Sequence, residues 1–163
     1  MTFEAYVEAR GAALLRLAYL LTGHAQDAED LVQSALLDAL RHWRRVAASA
    51  SPDAYVKKIL VNRHLTNRRR RWHGERPTDF ADPDAPHVPV LPRSDLEDRE
   101  TFHEQLGHLP PRGRAVLVLR YYEDLADEQI AELLGIAASS VRATASRALA
   151  ALRAQADTSE ERR

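Results

Sequence analysis

The sequence contains no cysteine, which excludes disulfides, thiolate metal sites, thiol redox sensing and cysteine nucleophiles. Its apolar runs are short, and the longest, around residues 115–119, falls far below the ~20 residues that a membrane helix needs. The N-terminal residues also lack the basic and then apolar pattern of a secretory signal. We therefore expect a cytoplasmic protein that does not contact a membrane.

Residue sets typical of a catalytic centre are also missing. The seven histidines include no pair with metal-binding His-x3-His spacing, and neither a glycine-rich phosphate loop nor a serine elbow occurs. Scattered surface histidines explain this distribution. We therefore expect no enzymatic activity, no metal and no cofactor.

Charge is distributed unevenly over a composition that is otherwise typical of a soluble globular protein, with 45% hydrophobic and 29% charged residues. Residues 1–72 carry 12 basic and 7 acidic side chains, residues 73–104 carry 3 and 9, and residues 105–163 carry 8 of each. Lysine is almost absent, since Lys57 and Lys58 are the only two. Arginine suits phosphates and base edges, although GC-rich coding explains its abundance equally well. The blocks of charge indicate different partners for different segments.

Hydrophobic periodicity predicts three helices in the first third of the chain. The first ends at Thr22-Gly23, and the third begins at Ser51-Pro52, with serine as the N-cap and proline at the first helical position. A polar, alanine-rich loop is predicted between the second and third helices. The apolar stripe of the second helix is predicted to comprise Ala28, Leu31, Val32, Ala35, Leu36, Ala39, Leu40 and Trp43.

Residues 73–93 show no periodicity and hold five of the eight prolines. A structureless stretch of this length argues against one compact domain, and its proline content stiffens it as a linker. The sequence therefore predicts an all-α protein of two small helical domains on a flexible linker. The predicted boundaries are residues 1–72 for the first domain, 73–93 for the acidic linker, 94–156 for the second domain and 157–163 for a charged tail.

Four helices are predicted in the second domain, and no strand signal occurs in the sequence. Ser94–Glu97 resembles a capping box, and the helix after it contains Phe102, Leu106 and Leu109. Pro110-Pro111 separates that helix from the next, which is predicted over residues 112–122. Further helices are predicted over 125–134 and, after Gly135, to the end of the domain.

The segment 129–141 has the spacing of a helix-turn-helix. Ala131 is small where two crossing helices touch, and Gly135, four residues later, suits a left-handed turn. Val141, six residues further on, is the apolar residue that packs the second helix against the first. A plain helical hairpin would need none of this spacing, so the segment favours DNA binding.

This register also predicts which residues of the last helix reach DNA. Val141, Ala145, Ala148 and Leu152 should face the core. The outward residues, which are the predicted DNA-binding set, are Ser139, Ser140, Arg142, Ala143, Ser146 and Arg147. Two arginines are the only long donors in this set, so the module alone should bind weakly and should need a second, tethered site.

The basic segment 63–71 is the candidate second site. Four consecutive arginines surround the end of the helix, Trp72 follows them, and Trp43 and Tyr55 lie near the start of the helix. Arginines next to aromatic rings suit single-stranded nucleic acid, because bases stack on rings while phosphates meet guanidinium groups. The alternatives are arginines that only complement the helix dipole and tryptophans that belong to the core, the latter favoured for Trp43.

Four further segments occur in order along the chain and carry a family resemblance. They are Leu14-Leu-Arg-Leu-Ala-Tyr-Leu-Leu-Thr-Gly23, Asp27-Ala-Glu-Asp-Leu-Val-Gln33, Pro52-Asp-Ala-Tyr-Val56 and Leu109-Pro-Pro-Arg-Gly-Arg-Ala-Val-Leu-Val-Leu-Arg-Tyr-Tyr-Glu123. Together with the helix-turn-helix, they resemble regions 2 and 4 of a compact extracytoplasmic-function (ECF) sigma factor of the sigma-70 family. The resemblance covers residues 3–154.

The resemblance implies a factor that binds core RNA polymerase and directs promoter-specific transcription initiation. Region 2 would melt the -10 element, region 4 would read the -35 element, and the partners would be the β′ clamp helices and the β flap. The implied polymerase-binding residues are Asp27, Glu29, Asp30, Leu31 and Gln33. The implied -10 contacts are the loop 44–51 and Lys57, Lys58, Asn62, Arg63, Asn67 and Arg68. An anti-sigma factor is expected of the family, although no residue of this sequence identifies one.

Three departures from the family pattern bear on these roles. Ser34 stands where relatives usually carry glutamate, which weakens the implied clamp contact. Ala137 stands where a capping serine or threonine is usual, unless Ser139 caps a helix that starts later. Ser139 and Ala143 replace the commoner glycine and serine, which alters the expected -35 preference.

Two other kinds of protein share parts of this pattern. A stand-alone helix-turn-helix regulator would use its N-terminal helices as a sensor or for dimerisation, and an interaction protein would use its helical hairpins to bind only proteins. The acidic segment 27–33, upstream of a basic helix, has no purpose in a sensor domain. The helix-turn-helix register argues against the interaction protein.

Overall fold

The computed structural model describes residues 1–74 and 103–162, with the side chains of 70–74 and 159 left out. The described residues form helices and connecting turns without a strand, in agreement with the predicted all-α class. The chain divides into two compact units, Met1–Val90 and Leu91–Arg163. Most of the predicted linker, the predicted capping box Ser94–Glu97 and Phe102 lie outside the described residues.

Residues 1–74, the described part of the first unit, form four helices rather than the three that the periodicity predicts. They are α1 (Phe3–Thr22), α2 (Ala25–Arg41), α3 (Trp43–Ala48) and α4 (Pro52–Gly74). Helix α3 replaces most of the predicted alanine-rich loop. It forms because Val46 is fully buried and because the carbonyl of His42 accepts hydrogen bonds from the N–H groups of Arg45 and Val46.

The ends of these helices follow the predicted capping chemistry. Gly23 takes a left-handed conformation with φ of 80°, and its N–H donates to the carbonyl of Tyr19 at 2.8 Å. Only glycine adopts this conformation without strain, so α1 ends there. The hydroxyl of Ser51 accepts a hydrogen bond from the N–H of Ala54 at 3.2 Å, which caps α4.

The core of the first unit lies between α1, α2 and α4. Its largest fully buried side chains are Tyr6, Leu14, Leu17, Leu21, Val46, Val56, Leu60 and Val61. Trp43 packs against Phe3 and Tyr6, with ring centroids 5.5 Å apart in each pair. This packing agrees with the core role favoured for Trp43, while the side chain of Trp72 lies outside the described residues.

The second unit has the four predicted helices. Helix α5 contains residues 103–107, and α6 (Pro111–Leu117) continues as a π-helical turn, Val118–Tyr122. Helices α7 (Asp127–Leu134) and α8 (Ala138–Glu161) follow, so α7 begins two residues later than the periodicity indicates. In the π-helical turn, the N–H of Glu123 donates to the carbonyl of Val118, five residues back, at 3.2 Å.

A single apolar cluster holds the second unit together. Leu106, Leu117 and Leu119 are at most 1% exposed, and Ile130 and Val141 are fully buried. Residues 113–119 are all buried, so α6 is the central helix, with neighbours on several sides. Burial of this surface orients α7 and α8 in the helix-turn-helix.

Gly135→Ala should destabilise the second unit by about 1–2 kcal/mol, because residue 135 holds a left-handed conformation that alanine avoids. Its φ is 68°, and nothing lies within 4 Å of an added Cβ, so the cost is one of backbone conformation rather than of steric clash. Urea unfolding measures the loss. Gly107→Ala is the control, since its added Cβ meets only ordinary contact with Arg114 at 3.9 Å and no positive φ. Equal stability of the two variants would contradict the assigned role of Gly135.

Candidate nucleic-acid interface

The helix-turn-helix is built as the spacing predicts. The N–H groups of Gly135 and Ile136 both donate to the carbonyl of Ala131, which ends α7 in a tight left-handed turn. Ala131 is 8% exposed and Val141 is fully buried, so both residues lie within the helix crossing. The turn thus sets the angle at which α8 leaves α7.

Helix α8 presents a polar, weakly basic face to solvent. All six predicted DNA-binding residues are exposed: Ser139, Ser140, Arg142, Ala143, Ser146 and Arg147. Val141, Ala145 and Ala148 are buried and Leu152 is partly buried, as the helical register predicts. The side chains on this face are short except for the two arginines, which leaves room for a duplex to approach closely.

The N-terminus of α8 has no side-chain cap. Ala137 is the N-cap residue, and α8 begins at Ala138, so Ser139 does not replace the missing cap. The N–H of Ser140 instead donates to the carbonyl of Ala137 at 3.0 Å. An absent cap costs about 0.5–2 kcal/mol and leaves amide donors available at the end of the helix that enters the groove.

The start of α7 is held by two polar interactions. Arg120 donates through Nε to Oδ1 of Asp127 at 3.1 Å, which joins the π-helical turn to α7. The hydrogen bond to Asp127 raises the pKa of Arg120 above its ordinary value. The side-chain oxygen of Gln129 accepts from the N–H of Ala126 at 2.8 Å, which is half of a capping box because alanine offers no acceptor in return.

Helix α4 carries the predicted -10 residues, but their surroundings differ. Lys58 and Asn67 are exposed, and Asn62 and Arg68 are partly exposed. These four side chains remain candidates for nucleic-acid contacts.

The other two predicted -10 residues are each paired with a carboxylate of the same unit. Lys57 is only 16% exposed, and its Nζ lies 3.0 Å from Oδ2 of Asp53. Arg63 forms an ion pair with Asp38 of α2. The Arg63 pair joins α4 to α2, whereas the Lys57 pair lies within α4, and both cations stay predicted -10 contacts.

Asp53 is the centre of a polar cluster that joins α1 to α4. Its carboxylate accepts from the hydroxyl of Tyr6 at 3.0 Å and from Nε and Nη2 of Arg10 at 3.0 and 2.9 Å. Burial alone would raise the pKa of Asp53, but the hydrogen bonds from Arg10, Lys57 and Tyr6 outweigh burial and lower it. The cluster therefore fixes the start of the helix that bears the candidate -10 residues.

Helix α2 exposes most of the predicted polymerase-binding residues. Glu29, Asp30 and Gln33 are exposed and Asp27 is partly exposed. Leu31 is only 5% exposed and packs in the core, so a direct contact by its side chain is not supported. The helix turns its 31–32 edge inward because Val32, Ala35 and Ala39 share the buried face.

Two leucines that the sequence analysis did not assign to a surface extend this face. Leu37 is 56% exposed and Leu40 is 47% exposed, although Leu40 was expected in the core stripe. Asp30, Gln33, Leu37 and Leu40 recur at intervals of three and four residues, so they share one side of α2. The sequence alone indicates that some leucines of α2 are exposed, because this helix has more apolar residues than one buried stripe can hold.

Features of other functional classes are absent from the described part of the chain. Within residues 1–74 and 103–162, no three His, Cys, Asp or Glu side chains lie close enough to hold a metal ion. None of the described helices is both long and apolar enough to cross a membrane.

Both units match families of known proteins. The family model for Sigma-70 region 2 matches residues 6–74, and that for Sigma-70, region 4 matches residues 99–152. The chain is 35% identical to the RNA polymerase sigma-E factor of Streptomyces coelicolor, over 94% of this chain and 85% of that protein. It is 29% identical to the sigma factor SigV of Bacillus subtilis, over 86% and 82% of the two chains.

Solved structures show the same likeness. The sigma factor RpoE of Bartonella quintana, in complex with the anti-sigma factor NepR, has a TM-score of 0.72 and 27% identity. The alignment covers 93% of this chain and 94% of RpoE. CnrH, in complex with the cytosolic domain of CnrY, has a TM-score of 0.60 and 22% identity, over 96% and 88% of the two chains, and so supports the fold.

The helix-turn-helix and its exposed polar face define the class, a DNA-binding transcription factor. Within that class, the chain belongs to the ECF sigma factors of the sigma-70 family, and it directs transcription initiation. Sigma factors are regulators rather than enzymes. The stand-alone regulator is not favoured, because residues 6–74, which would form its sensor, match sigma region 2.

Proposed function

We propose that the two units divide promoter recognition between them. Residues 1–72 bind core RNA polymerase and recognise and melt the -10 element, residues 94–156 read the -35 element, and residues 73–93 connect them. The charged residues 157–163 follow, and α8 continues into them as far as Glu161. The observation that carries this proposal is the exposed six-residue face of α8, which the buried side chains of Val141 and Ala145 orient outward. Partial contacts from two tethered units add to give useful selectivity.

We propose that the polymerase-docking face is one side of α2, formed by Asp27, Glu29, Asp30, Gln33, Leu37 and Leu40. This face combines exposed carboxylates with exposed leucines, a mixture that suits a specific protein interface with an apolar centre and a polar rim. Its partner is the pair of β′ clamp helices, and the second unit binds the β flap.

The proposed -10 surface comprises Lys58, Asn62, Asn67 and Arg68 of α4, together with the segment 44–51. Arg44 and Arg45 are exposed on α3, so that segment adds two cations to the surface. Cations and amides suit a melted strand, because the phosphates are held by charge and the unpaired base edges by hydrogen bonds. Lys57 and Arg63 lie on the same helix, where Lys57 pairs with Asp53 of α4 and Arg63 pairs with Asp38 of α2 and so also positions α4.

Regulation by an anti-sigma factor is part of this proposal. The Bartonella quintana relative is seen with its anti-sigma factor NepR, at 27% identity over nearly its whole length. A factor of this kind works beside core polymerase and the chromosome, which places it in the cytoplasm. It needs no metal, no cofactor and no catalytic residue of its own.

Run-off transcription tests the proposed division of labour. The purified chain, core RNA polymerase and a promoter fragment should give a defined transcript, and omission of the chain or of core enzyme should abolish it. Tight sequence-specific binding to duplex DNA without polymerase would instead support a stand-alone regulator.

Arg142→Ala should weaken the -35 interaction of the holoenzyme by an amount that depends on one base pair. A good bidentate contact to a base is worth about 1–3 kcal/mol of discrimination. Affinity for the preferred site should therefore fall roughly tenfold or more, while affinity for a substituted site should change little. Binding to fragments with single -35 substitutions measures this. A uniform loss on all fragments, with a shallower salt dependence, would place Arg142 on a phosphate.

A further inference from the structure

One ion pair bridges the two helices of the helix-turn-helix on the side that faces solvent. Nη1 of Arg142, on α8, lies 3.9 Å from Oε1 of Glu128, on α7. The side chains are 56% and 75% exposed. Such an exposed, loosely spaced pair contributes between nothing and about 1 kcal/mol to stability, so stability does not explain the glutamate.

The other polar residues in the first turn of α7 already have structural roles. Asp127 bonds Arg120, and Gln129 caps the backbone at Ala126. Asp127 also places a negative charge at the positive end of the helix dipole, so the helix does not need Glu128 for that purpose. The only charged side chain of the described residues with which Glu128 pairs is Arg142.

The position of Glu128 is unfavourable for simple DNA affinity. In a helix-turn-helix, the first helix crosses the phosphate backbone while the second enters the major groove. A carboxylate in the first turn of α7 therefore repels the phosphates that the protein must approach. Such a residue lowers the overall affinity for DNA, but it raises selectivity when it weakens binding to wrong sequences more than binding to the right one.

We propose that Glu128 is a positioning residue that sets the -35 selectivity of this sigma factor by directing Arg142 toward base edges and away from phosphates. The inference rests on the proposed role of Arg142 in -35 recognition. An arginine on an open helix face reaches either a phosphate or a base, and only the base contact carries sequence information. The nearby carboxylate restricts the rotamers of the guanidinium before binding, which reduces the entropy lost when the base contact forms.

Glu128→Gln in the full chain, assembled with core RNA polymerase, tests this proposal. Binding is measured on promoter fragments that differ by single -35 base pairs, at several salt concentrations. We expect substituted sites to be bound more tightly and the preferred-to-substituted ratio to fall roughly twofold to fivefold. The dependence of log affinity on log salt should steepen, since Arg142 becomes free to pair with a phosphate.

Glu132→Gln is the matched control. Glu132 lies one turn further along α7, is exposed, and makes no ion pair with any residue that the structure describes. Glu132→Gln removes the same charge as Glu128→Gln but leaves the pair with Arg142 intact. Its preferred-to-substituted affinity ratio should therefore stay at the wild-type value. If the two variants lower the ratio equally, a general charge effect replaces the proposal. An unchanged ratio and salt slope in Glu128→Gln would overturn it outright.

Arg142→Ala and the double variant separate this proposal from the function on which it rests. If Arg142→Ala alters binding to no fragment, both the -35 role of Arg142 and the inference about Glu128 are wrong. If Arg142→Ala lowers selectivity and Glu128→Gln does not, only the inference fails. In the double variant, Glu128→Gln should have no further effect on the selectivity ratio, because its partner is gone.

Discussion

Asp53→Asn should lower the free energy of unfolding of the first unit by about 2–4 kcal/mol. The carboxylate accepts hydrogen bonds from Tyr6 and Arg10 and pairs with Lys57 at 3.0 Å. Asparagine keeps the shape but removes the charge, which leaves two cations beside a neutral amide. Chemical unfolding followed by circular dichroism measures the loss.

Glu8→Gln is the control for this substitution, because Glu8 is an exposed carboxylate on α1 that lies outside the Asp53 cluster. The free energy of unfolding of Glu8→Gln should stay within about 0.5 kcal/mol of the wild-type value. If Asp53→Asn is no less stable than Glu8→Gln, the cluster does not hold α1 to α4. Transcription from a promoter that needs -10 melting should fall with Asp53→Asn, since the cluster fixes the start of α4.

The same cluster predicts a pH dependence of stability. The pKa of Asp53 lies below its ordinary value of 3.8, so its contribution is present above that pH and is lost as the pH falls through the lower, folded-state pKa. Burial and then the Asp53 charge raise the pKa of Tyr6 above its ordinary value of 10.0, so stability is fully present below pH 10.0 and declines above it. Asp53→Asn should weaken the loss of stability at acid pH, and Tyr6→Phe the loss at alkaline pH.

Asp30→Arg should abolish binding to core RNA polymerase while both units stay folded. Asp30 is exposed on the proposed docking face of α2, and among the described residues its carboxylate accepts one exposed hydrogen bond, from Gln26 at 3.0 Å. Reversing a charge at the centre of a complementary interface replaces attraction by repulsion, which costs several kcal/mol, or more than about a hundredfold in affinity. Co-elution with core enzyme on size exclusion measures binding.

Leu40→Asp tests the apolar part of the same face. Leu40 is 47% exposed, so the substitution spares the core, yet docking would force an unpaired carboxylate out of water. Affinity for core enzyme should fall by at least tenfold. Glu8→Arg, a charge reversal on α1, is the control and should co-elute as wild type does. Unchanged co-elution of Asp30→Arg and Leu40→Asp would show that polymerase binds another surface.

Features that depend on neighbours in sequence could be predicted without the structure. The ends of helices at Gly23 and Ser51, the left-handed turn at Gly135 and the outward face of α8 all follow from local spacing. Backbone conformation and helical period are properties of a few consecutive residues. The resemblance to sigma regions 2 and 4 rests on the same local motifs.

The roles of single charged residues could not be predicted in this way. The family resemblance implies a DNA contact for Arg63, and only the structure shows that this side chain also pairs with Asp38. Arg63 and Asp38 lie 25 residues apart on different helices, and Tyr6 and Asp53 lie 47 apart. No pattern of neighbouring residues predicts that side chains so far apart in sequence are in contact.

The amino-acid sequence by itself determined that the described residues are helical, where α1 ends and α4 begins, and which segment forms the helix-turn-helix, because hydrogen bonding and hydrophobic period act over a few residues. The tertiary structure alone decided that Leu31 is buried while Leu37 and Leu40 are exposed, and that Arg63 meets Asp38. The rotation of each helix about its axis, and the carboxylates that it meets, are set by how whole helices pack against one another.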